Sequence, residues 1–106
     1  MSDPLSLNAI QNKIDEYIKN HGGYWPPLSM FSALVEEIGE LAREINSFEG
    51  FKPKKSSEKE NRLGEELSDV LFALICLANY YEINLEVNLN KIIEKYKKRD
   101  KDRFIQ

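Results

Sequence analysis

Residues 34–45 read LVEEIGELAREI, and this stretch decides the fold because it combines a helical apolar pattern with several glutamates. The apolar residues recur at helical spacing and predict a buried stripe, formed by Leu34, Ile38, Leu41 and Ile45. The same stretch carries Glu36, Glu37, Glu40 and Glu44. A second acidic stretch, EELSD at 65–69, stands directly before the apolar run VLFALICLA. We therefore expect two helices whose acidic residues meet in space.

Four helical segments can be separated along the 106 residues, a length that suits one domain spanning 1–106. They are predicted at about 5–20, 29–47, 60–81 and 85–99, with the tail either continuing the last helix or folding back as a fifth. HGGYWPP at 21–27 ends the first helix, because glycine permits positive φ and the two prolines disfavour a helix before residue 28. The stretch 48–61, rich in Lys, Ser and Glu, predicts a mobile loop.

This organisation predicts an all-α fold, a bundle of four helices and at most five. The third helix is apolar in every direction from Val70 to Ala78, which is typical of a helix buried on all sides. A lone bundle of this size rarely encloses one helix completely. We therefore expect a second copy of the chain to cover it, with a two-fold homodimer as the default.

Composition excludes several other classes of protein. With 15 basic and 18 acidic residues, the net charge of −3 points to neither a specific nucleic acid nor a membrane partner. The one cysteine, Cys76, cannot form an internal disulfide and favours a reducing compartment. No signal peptide is apparent, and the longest apolar run falls far short of the roughly 20 residues that span a bilayer. We expect a small soluble protein of the cytoplasm.

The acidic residues form two pairs. Residues three apart on a helix share a side, so Glu37 pairs with Glu40 and Glu66 with Asp69. Four carboxylates brought together repel by roughly 4 kcal/mol per pair at 4 Å, unless protons are retained or a cation binds. Mg²⁺ prefers such oxygen ligands and shares them with substrate phosphates. Spacing alone leaves solvated surface pairs as the alternative.

Small residues accompany the acidic pairs. Ala33 lies on the stripe of Glu37 and Ala73 on the stripe of Asp69, so both would leave space beside the acids.

Other metal and catalytic sites fit less well. A di-iron bundle needs Glu-x-x-His pairs, but the one histidine, His21, lies outside both acidic helices. Tetrahedral zinc is disfavoured by a single Cys and a single His. The sequence contains no Gly-rich phosphate loop and no convincing Ser-His-Asp set.

The acidic pattern resembles a known family. EEIGE at 36–40 followed by ELSD at 66–69 is similar to the E-E-x-x-E … E-x-x-D signature of the MazG-like nucleotide pyrophosphohydrolases, which are all-α proteins. PLSMFSALVEEIGELAREIN, EELSDVLFALICLAN and KYKKRDKDRF resemble the short, single-domain YpjD-type branch. The resemblance covers nearly the whole chain, and every acidic position of the signature is filled.

The resemblance implies an enzyme that hydrolyses nucleoside triphosphates between the α and β phosphates, with Mg²⁺ and sometimes Mn²⁺ as cofactor. It assigns the metal ligands and catalytic carboxylates to Glu37, Glu40, Glu66 and Asp69. Glu36 would stand behind them and orient a water or face solvent. The assembly would be a homodimer or a tetramer of two dimers. House-cleaning of non-standard nucleotides is the family-level expectation. The alternative is an inactive helical dimerisation or nucleotide-binding module that keeps the acidic pattern.

Basic and aromatic residues supply further candidates. Lys95, Arg99 and Arg103 are candidates for binding phosphates, against the alternative of a solvated basic helix end. Tyr24 and Trp25 would either stack on a base or plug the loop against the bundle.

Asn79 interrupts the apolar third helix near its end. It would either read a base edge or cap a neighbouring helix.

Overall fold

The computed structural model describes residues 5–50 and 56–103, with side chains over 5–50 and 62–101. Over these residues the chain forms four α-helices and no strand. The helices are α1 (Leu7–Lys19), α2 (Pro27–Phe48), α3 (Ser56–Tyr80) and α4 (Leu85–Arg103). The all-α, four-helix prediction is confirmed.

Local sequence explains where α1 and α4 begin. The Ser6 side chain accepts a hydrogen bond from the Ala9 N–H at 3.0 Å and so caps α1. Asn84 does the same for α4, because its Oδ1 accepts from the Val87 N–H at 2.9 Å.

Backbone conformation explains where α1 and α3 end. After α1 the chain turns through Gly22 and Gly23, whose φ values of +104° and +88° only glycine adopts without strain. After α3 it turns at Glu82, with φ of +55°. There the Ile83 N–H donates back to the Ala78 carbonyl at 2.9 Å.

Three boundaries differ from the prediction. Helix α2 begins at Pro27, because proline suits the first position of a helix, where its missing N–H is not needed. Helix α3 begins at Ser56, so the predicted loop is wrong for residues 56–61, which are helical. The mobility predicted for the loop falls partly on 51–55, outside the described residues. Helix α4 extends to Arg103, so the tail continues the helix that far.

Helix α3 holds the fold together. It packs along α2 and, more briefly, on α1, whereas α4 packs on α1. Among the residues whose side chains are described, the buried apolar ones lie on α2 and α3, and they are Met30, Leu34, Ile75, Cys76 and Ala78. The core is therefore the seam between α2 and α3.

The prediction that α3 is buried on all sides is not met by one chain. Leu67, Leu71 and Leu74 are 51%, 48% and 43% exposed. On α2, Ile38 and Ile45 of the predicted buried stripe are about half exposed as well. One chain therefore leaves apolar faces of both helices uncovered.

No single helix within residues 5–50 and 56–103 has the length and apolar character needed to cross a membrane. Arg62–Tyr80 and Leu85–Lys101 pass that test only together, as a pair bent by 108°.

A buried amide network joins α1 to the end of α3 and the start of α4. Gln11 Nε2 donates to Asn79 Oδ1 at 2.8 Å and to the Ile83 carbonyl at 2.9 Å. Gln11 Oε1 accepts from the Leu85 N–H at 2.9 Å, and Asn79 Nδ2 donates to the Gln11 carbonyl at 3.0 Å. Gln11 is 6% exposed, so these bonds replace the water it loses.

We predict that Gln11→Ala lowers the free energy of unfolding by about 2 kcal/mol, because it leaves partly buried polar groups of Asn79, Ile83 and Leu85 without this partner. The matched control Asn12→Ala changes an exposed neighbour and should stay within about 0.5 kcal/mol of wild type. Urea denaturation followed by circular dichroism measures both. Equal stabilities would show that the network contributes nothing.

Candidate metal centre

Three carboxylates from α2 and α3 converge. Oxygen atoms of Glu37, Glu66 and Asp69 all lie within 4.8 Å of one another. Glu37 and Glu66 are half-buried, and Asp69 is exposed at the opening of the cluster. Side chains from two different helices therefore share one small volume, as the acidic pairs predict.

The local pattern of α2 explains why Glu37 points inward. The buried residues Met30 and Leu34 precede it at intervals of four and three, so all three share the face that packs on α3. The predicted stripe through Ile38 and Ile45 lies to one side of this face. Glu37 thus occupies a position where an apolar residue would ordinarily fill the seam.

Glu66 is the most constrained member of the cluster. Its Oε2 atom is buried and has no hydrogen-bond partner among the described residues. Burial raises the pKa of Glu66, and the negative charges of Glu37, Asp69 and Glu40 and a hydrogen bond with Glu37 raise it further. A cation bound among these carboxylates would counter the repulsion between them.

The donor set fits a hard divalent cation. All three groups offer carboxylate oxygen, the ligand that Mg²⁺ and Mn²⁺ prefer. The orphaned Glu66 oxygen is the kind of atom that a cation would satisfy. Asp69, open to solvent, leaves a side of the cluster accessible to water and phosphate oxygens.

The remaining acids of the signature lie outside this group of three. Glu40 is exposed, but its negative charge contributes to the raised pKa of Glu66. Glu36 is exposed, and it is not among the groups that shift the pKa of Glu66.

The aromatic pair before α2 divides into two roles. The Tyr24 hydroxyl donates to Asp15 Oδ1 at 2.6 Å, and burial and this bond raise the pKa of Tyr24 to about 12. Trp25 is 65% exposed, so it does not plug the loop within one chain.

Asn79 has both of its amide atoms engaged with Gln11, and its side chain also hydrogen-bonds Tyr24. The Asn79 amide is therefore not available to read the edge of a base.

The basic candidates lie on α4, which packs on α1 and not along the α2–α3 seam. Arg99 is held by the Asp100 carboxylate at 2.8 and 3.1 Å and lies 4.7 Å over the Tyr96 ring. Lys95 shares an exposed basic surface with Lys91, Lys98 and Lys101. The side chain of Arg103 lies outside the described part of the chain. Within one chain the structure does not bring Lys95 and Arg99 into the carboxylate cluster.

Gln11 and Asp15 were not predicted from the sequence. Gln11 gave a readable signal, because it stands at an apolar-stripe position of α1, four residues after Leu7 and three before Ile14. A polar residue there must find buried partners. Asp15 gave no such signal.

Known proteins agree with this fold. The family model of the MazG nucleotide pyrophosphohydrolase domain matches residues 26–104. YpjD of Bacillus subtilis (strain 168), described as uncharacterized, is 47% identical over 105 residues, which are 98% of this chain and 94% of YpjD.

Two solved structures share the fold. A crystal structure of YpjD from Bacillus subtilis, described as a candidate pyrophosphatase, has a TM-score of 0.79 at 45% identity and covers 91% of this chain and 98% of that one. The Bacillus-conserved MazG protein, described as a nucleotide pyrophosphohydrolase, has a TM-score of 0.76 at 38% identity and covers 95% and 99%.

The class of protein is therefore an all-α hydrolase that acts on phosphoric anhydrides. Within that class, the chain belongs to the MazG nucleotide pyrophosphohydrolase family. Members of this family generally depend on a divalent metal, which agrees with the acidic cluster.

We predict that Glu66→Gln stabilises the metal-free protein at neutral pH. The raised pKa means that Glu66 contributes stability below its ordinary value of 4.5 and loses that contribution as pH rises through the folded-state value. The neutral amide removes this loss, so its advantage should grow as pH rises from 4.5 through the folded-state pKa of Glu66.

Thermal melts in EDTA test this, with exposed Glu65→Gln as the matched control. Adding Mg²⁺ should raise the melting temperature of wild type but not that of Glu66→Gln. A metal-free variant no more stable than wild type at pH 8 would contradict the electrostatic account.

Proposed function

We propose that the protein is a Mg²⁺-dependent nucleoside triphosphate pyrophosphohydrolase, with Mn²⁺ as a possible substitute. The products are a nucleoside monophosphate and pyrophosphate. The observation that carries the proposal is the convergence of three carboxylates around an unsatisfied, buried Glu66 oxygen, in a chain of this family. The implied substrates include non-standard nucleotides, and a cytoplasmic location stays a prediction.

The chain's own groups divide the work. Glu37, Glu66 and Asp69 would hold the cation, which would neutralise phosphate charge and supply Lewis acidity. Glu40, exposed beside the cluster, is free to serve as a fourth ligand or to take the proton of the attacking water. Glu36 would orient that water from outside.

We predict that Asp69→Asn and Glu37→Gln each reduce pyrophosphate release at least 100-fold, because each removes a charged ligand at nearly constant shape. Glu65→Gln, one residue from the site and exposed, should keep wild-type turnover. Pyrophosphate release from a panel of triphosphates, with Mg²⁺ or EDTA, measures all three. Wild-type turnover in Asp69→Asn would reject the assignment. No turnover by wild type would favour the inactive module.

We further propose that the functional unit is a homodimer. The chain exposes 8639 Å², against about 6,100 Å² expected for a compact monomer of 12.3 kDa. Its radius of gyration is 17.3 Å, against about 13 Å for a compact domain of this length. The excess area is of the size that an obligate dimer buries.

Exposed apolar residues support an interface on the α2–α3 pair. The uncovered apolar side chains recur on α2, α3 and α4, and they include Phe31, Val35, Ile38, Leu67, Leu71, Leu74, Ile92 and Tyr96. A second copy packed on the α2–α3 pair would cover the outer face of α3 and so restore the all-round burial that its composition predicts. A tetramer of two such dimers is the larger assembly to test.

We predict that wild type has at least twice the 12.3 kDa chain mass in sedimentation equilibrium, whereas Leu71→Asp shifts towards the monomer. The buried charge would have no partner across the interface. Asn12→Asp adds the same charge at an exposed position of α1 and should leave the mass unchanged. A wild-type monomer at micromolar concentration would contradict the dimer.

Phosphate binding by Lys95, Arg99 and Arg103 stays a prediction. Because α4 packs on α1 and not along the α2–α3 pair, we propose that these residues act at the site of another copy.

A further inference from the structure

A polar cleft of about 400 Å³ lies between α1 and the turn that joins α3 to α4. One wall is a single face of α1, formed by Asn8, Asn12, Asp15 and Lys19. This wall is about 16 Å long, from the helical rise per residue. The turn forms the opposite wall, through Glu82 and Asn84. The shape of the cleft is therefore long, and its lining is almost entirely polar.

Hydrogen bonds fix both walls of the cleft. Gln11, which also lines it, bonds to the Asn79 amide and to the Ile83 carbonyl. Asn84 caps α4 by accepting from the Val87 N–H at 2.9 Å. The cleft is therefore formed in advance, and a ligand does not have to order its walls.

The side chains that remain available in the cleft are mainly oxygen acceptors. Glu82 is exposed, and its carboxylate has no hydrogen-bond or ion-pair partner among the described residues. Asn12 is exposed on the facing wall. Lys19, the one cation of the lining, is held by Asp15 Oδ2 at 3.0 Å. The hydrogen bonds from Tyr24 and Lys19 lower the pKa of Asp15, so its carboxylate stays charged.

These groups disfavour three kinds of ligand. An anion would meet two carboxylates and a lysine that is already paired. An apolar molecule would leave polar groups without water. A divalent metal ion needs converging oxygen atoms, but within the described residues the acids of the cleft are not part of a converging group of three. The lining suits a ligand with several N–H donors and positive charges that are spaced apart.

We propose that this cleft binds a linear diamine or polyamine, and that its occupation is transmitted through Asp15 to the α1–α2 loop. One ammonium group takes the place of Lys19 on Asp15, and a second lies on Glu82 across the cleft. The side-chain oxygen of Asn12 accepts from the remaining N–H groups. The cleft volume lies in the range of small-molecule sites, about 300–1,000 Å³. This site is independent of the proposed function.

Asp15 connects the cleft to the loop, because its two oxygens have different partners. Oδ1 accepts from the Tyr24 hydroxyl at 2.6 Å, whereas Oδ2 pairs with Lys19. Tyr24 and Trp25 line an apolar cavity of about 200 Å³ in the α2–α3 seam. An ammonium group that draws Asp15 towards the cleft weakens its bond to Tyr24, and the loop responds. Trp25 is the chain's one tryptophan, so its fluorescence reports on the loop.

Calorimetry of the full chain with spermidine tests the site, with propylamine as the probe that carries a single charge. All titrations contain Mg²⁺ at fixed ionic strength, so that general charge attraction is the same in every sample. Spermidine should bind at least about tenfold more tightly than propylamine, because a second charged hydrogen bond is made.

Charge-removing variants locate the bound amine. Glu82→Gln should weaken spermidine binding about fivefold. Glu16→Gln removes the same charge from an exposed position of α1 outside the cleft, and should stay within about twofold of wild type. Lys19→Met frees Asp15 and should tighten binding about threefold, which is a change of opposite sign. Lys13→Met, exposed and outside the cleft, is its matched control and should have a smaller effect.

Trp25 fluorescence tests the transmission. Spermidine should change the Trp25 emission with the Kd measured by calorimetry. Tyr24→Phe removes the hydroxyl that contacts Asp15, so it should abolish this change without weakening spermidine binding.

Two results would reject the site. They are spermidine that binds no more tightly than propylamine, and equal weakening by Glu82→Gln and Glu16→Gln, which would indicate attraction to the overall negative charge. Unchanged Trp25 emission at saturation, or the same change in Tyr24→Phe, would reject transmission through Asp15. The expected binding and fluorescence response in a protein that hydrolyses no triphosphate would support the cleft and reject the proposed function.

Discussion

Glu66 is held between two packed helices with other carboxylates around it, and this arrangement governs the rest of the site. Its Oε2 atom is buried without a partner, and burial and the nearby negative charges raise its pKa. Holding the Glu66 carboxyl against Glu37 and Asp69 makes the metal-free protein less stable. This lower stability is explained if the cluster binds a divalent cation in the native protein.

The carboxylate cluster and an apolar cavity both lie along the α2–α3 seam. A network of hydrogen bonds holds the α1–α2 loop next to this seam. Gln11 fixes α1 to the end of α3 through Asn79, while Tyr24 ties the loop to Asp15. Asn79 links the two networks, because its side chain also hydrogen-bonds Tyr24. Trp25 thereby has a defined place next to the cavity although its own ring is largely exposed.

The sequence predicted the four helices, because glycine turns and apolar spacing are local signals, but the starts of α2 and α3 and the end of α4 differ from the prediction. It also predicted that the pair of Glu66 and Asp69 meets the pair of Glu37 and Glu40, and of the second pair Glu37 belongs to the group of three carboxylates. The sequence alone does not show which stripe of α2 faces α3, because Ile38 and Ile45 are as apolar as Leu34. In one chain the inward line runs through Met30, Leu34 and Glu37. Which face is inward depends on long-range packing, and on a second copy if the dimer forms.

Three further differences between prediction and structure show why the sequence alone does not define the site. The start of α3 was missed because Ser, Lys and Glu are as common in exposed helix ends as in loops. Asn79 looked free to read a base until Gln11 on a distant helix was found to engage it. Lys95 and Arg99 match a phosphate-binding pattern, yet α4 departs from α3 at 108° and packs on α1.

Crystals grown with MnCl₂ provide the most direct test of the central claim, because manganese gives an anomalous signal that water and magnesium do not. The account predicts an anomalous peak between α2 and α3, ligated by carboxylate oxygens of Glu37, Glu66 and Asp69. The contradicting result is a crystal in which the three side chains are well ordered but no anomalous peak lies between them. In that result Glu66 is paired with another protein group instead.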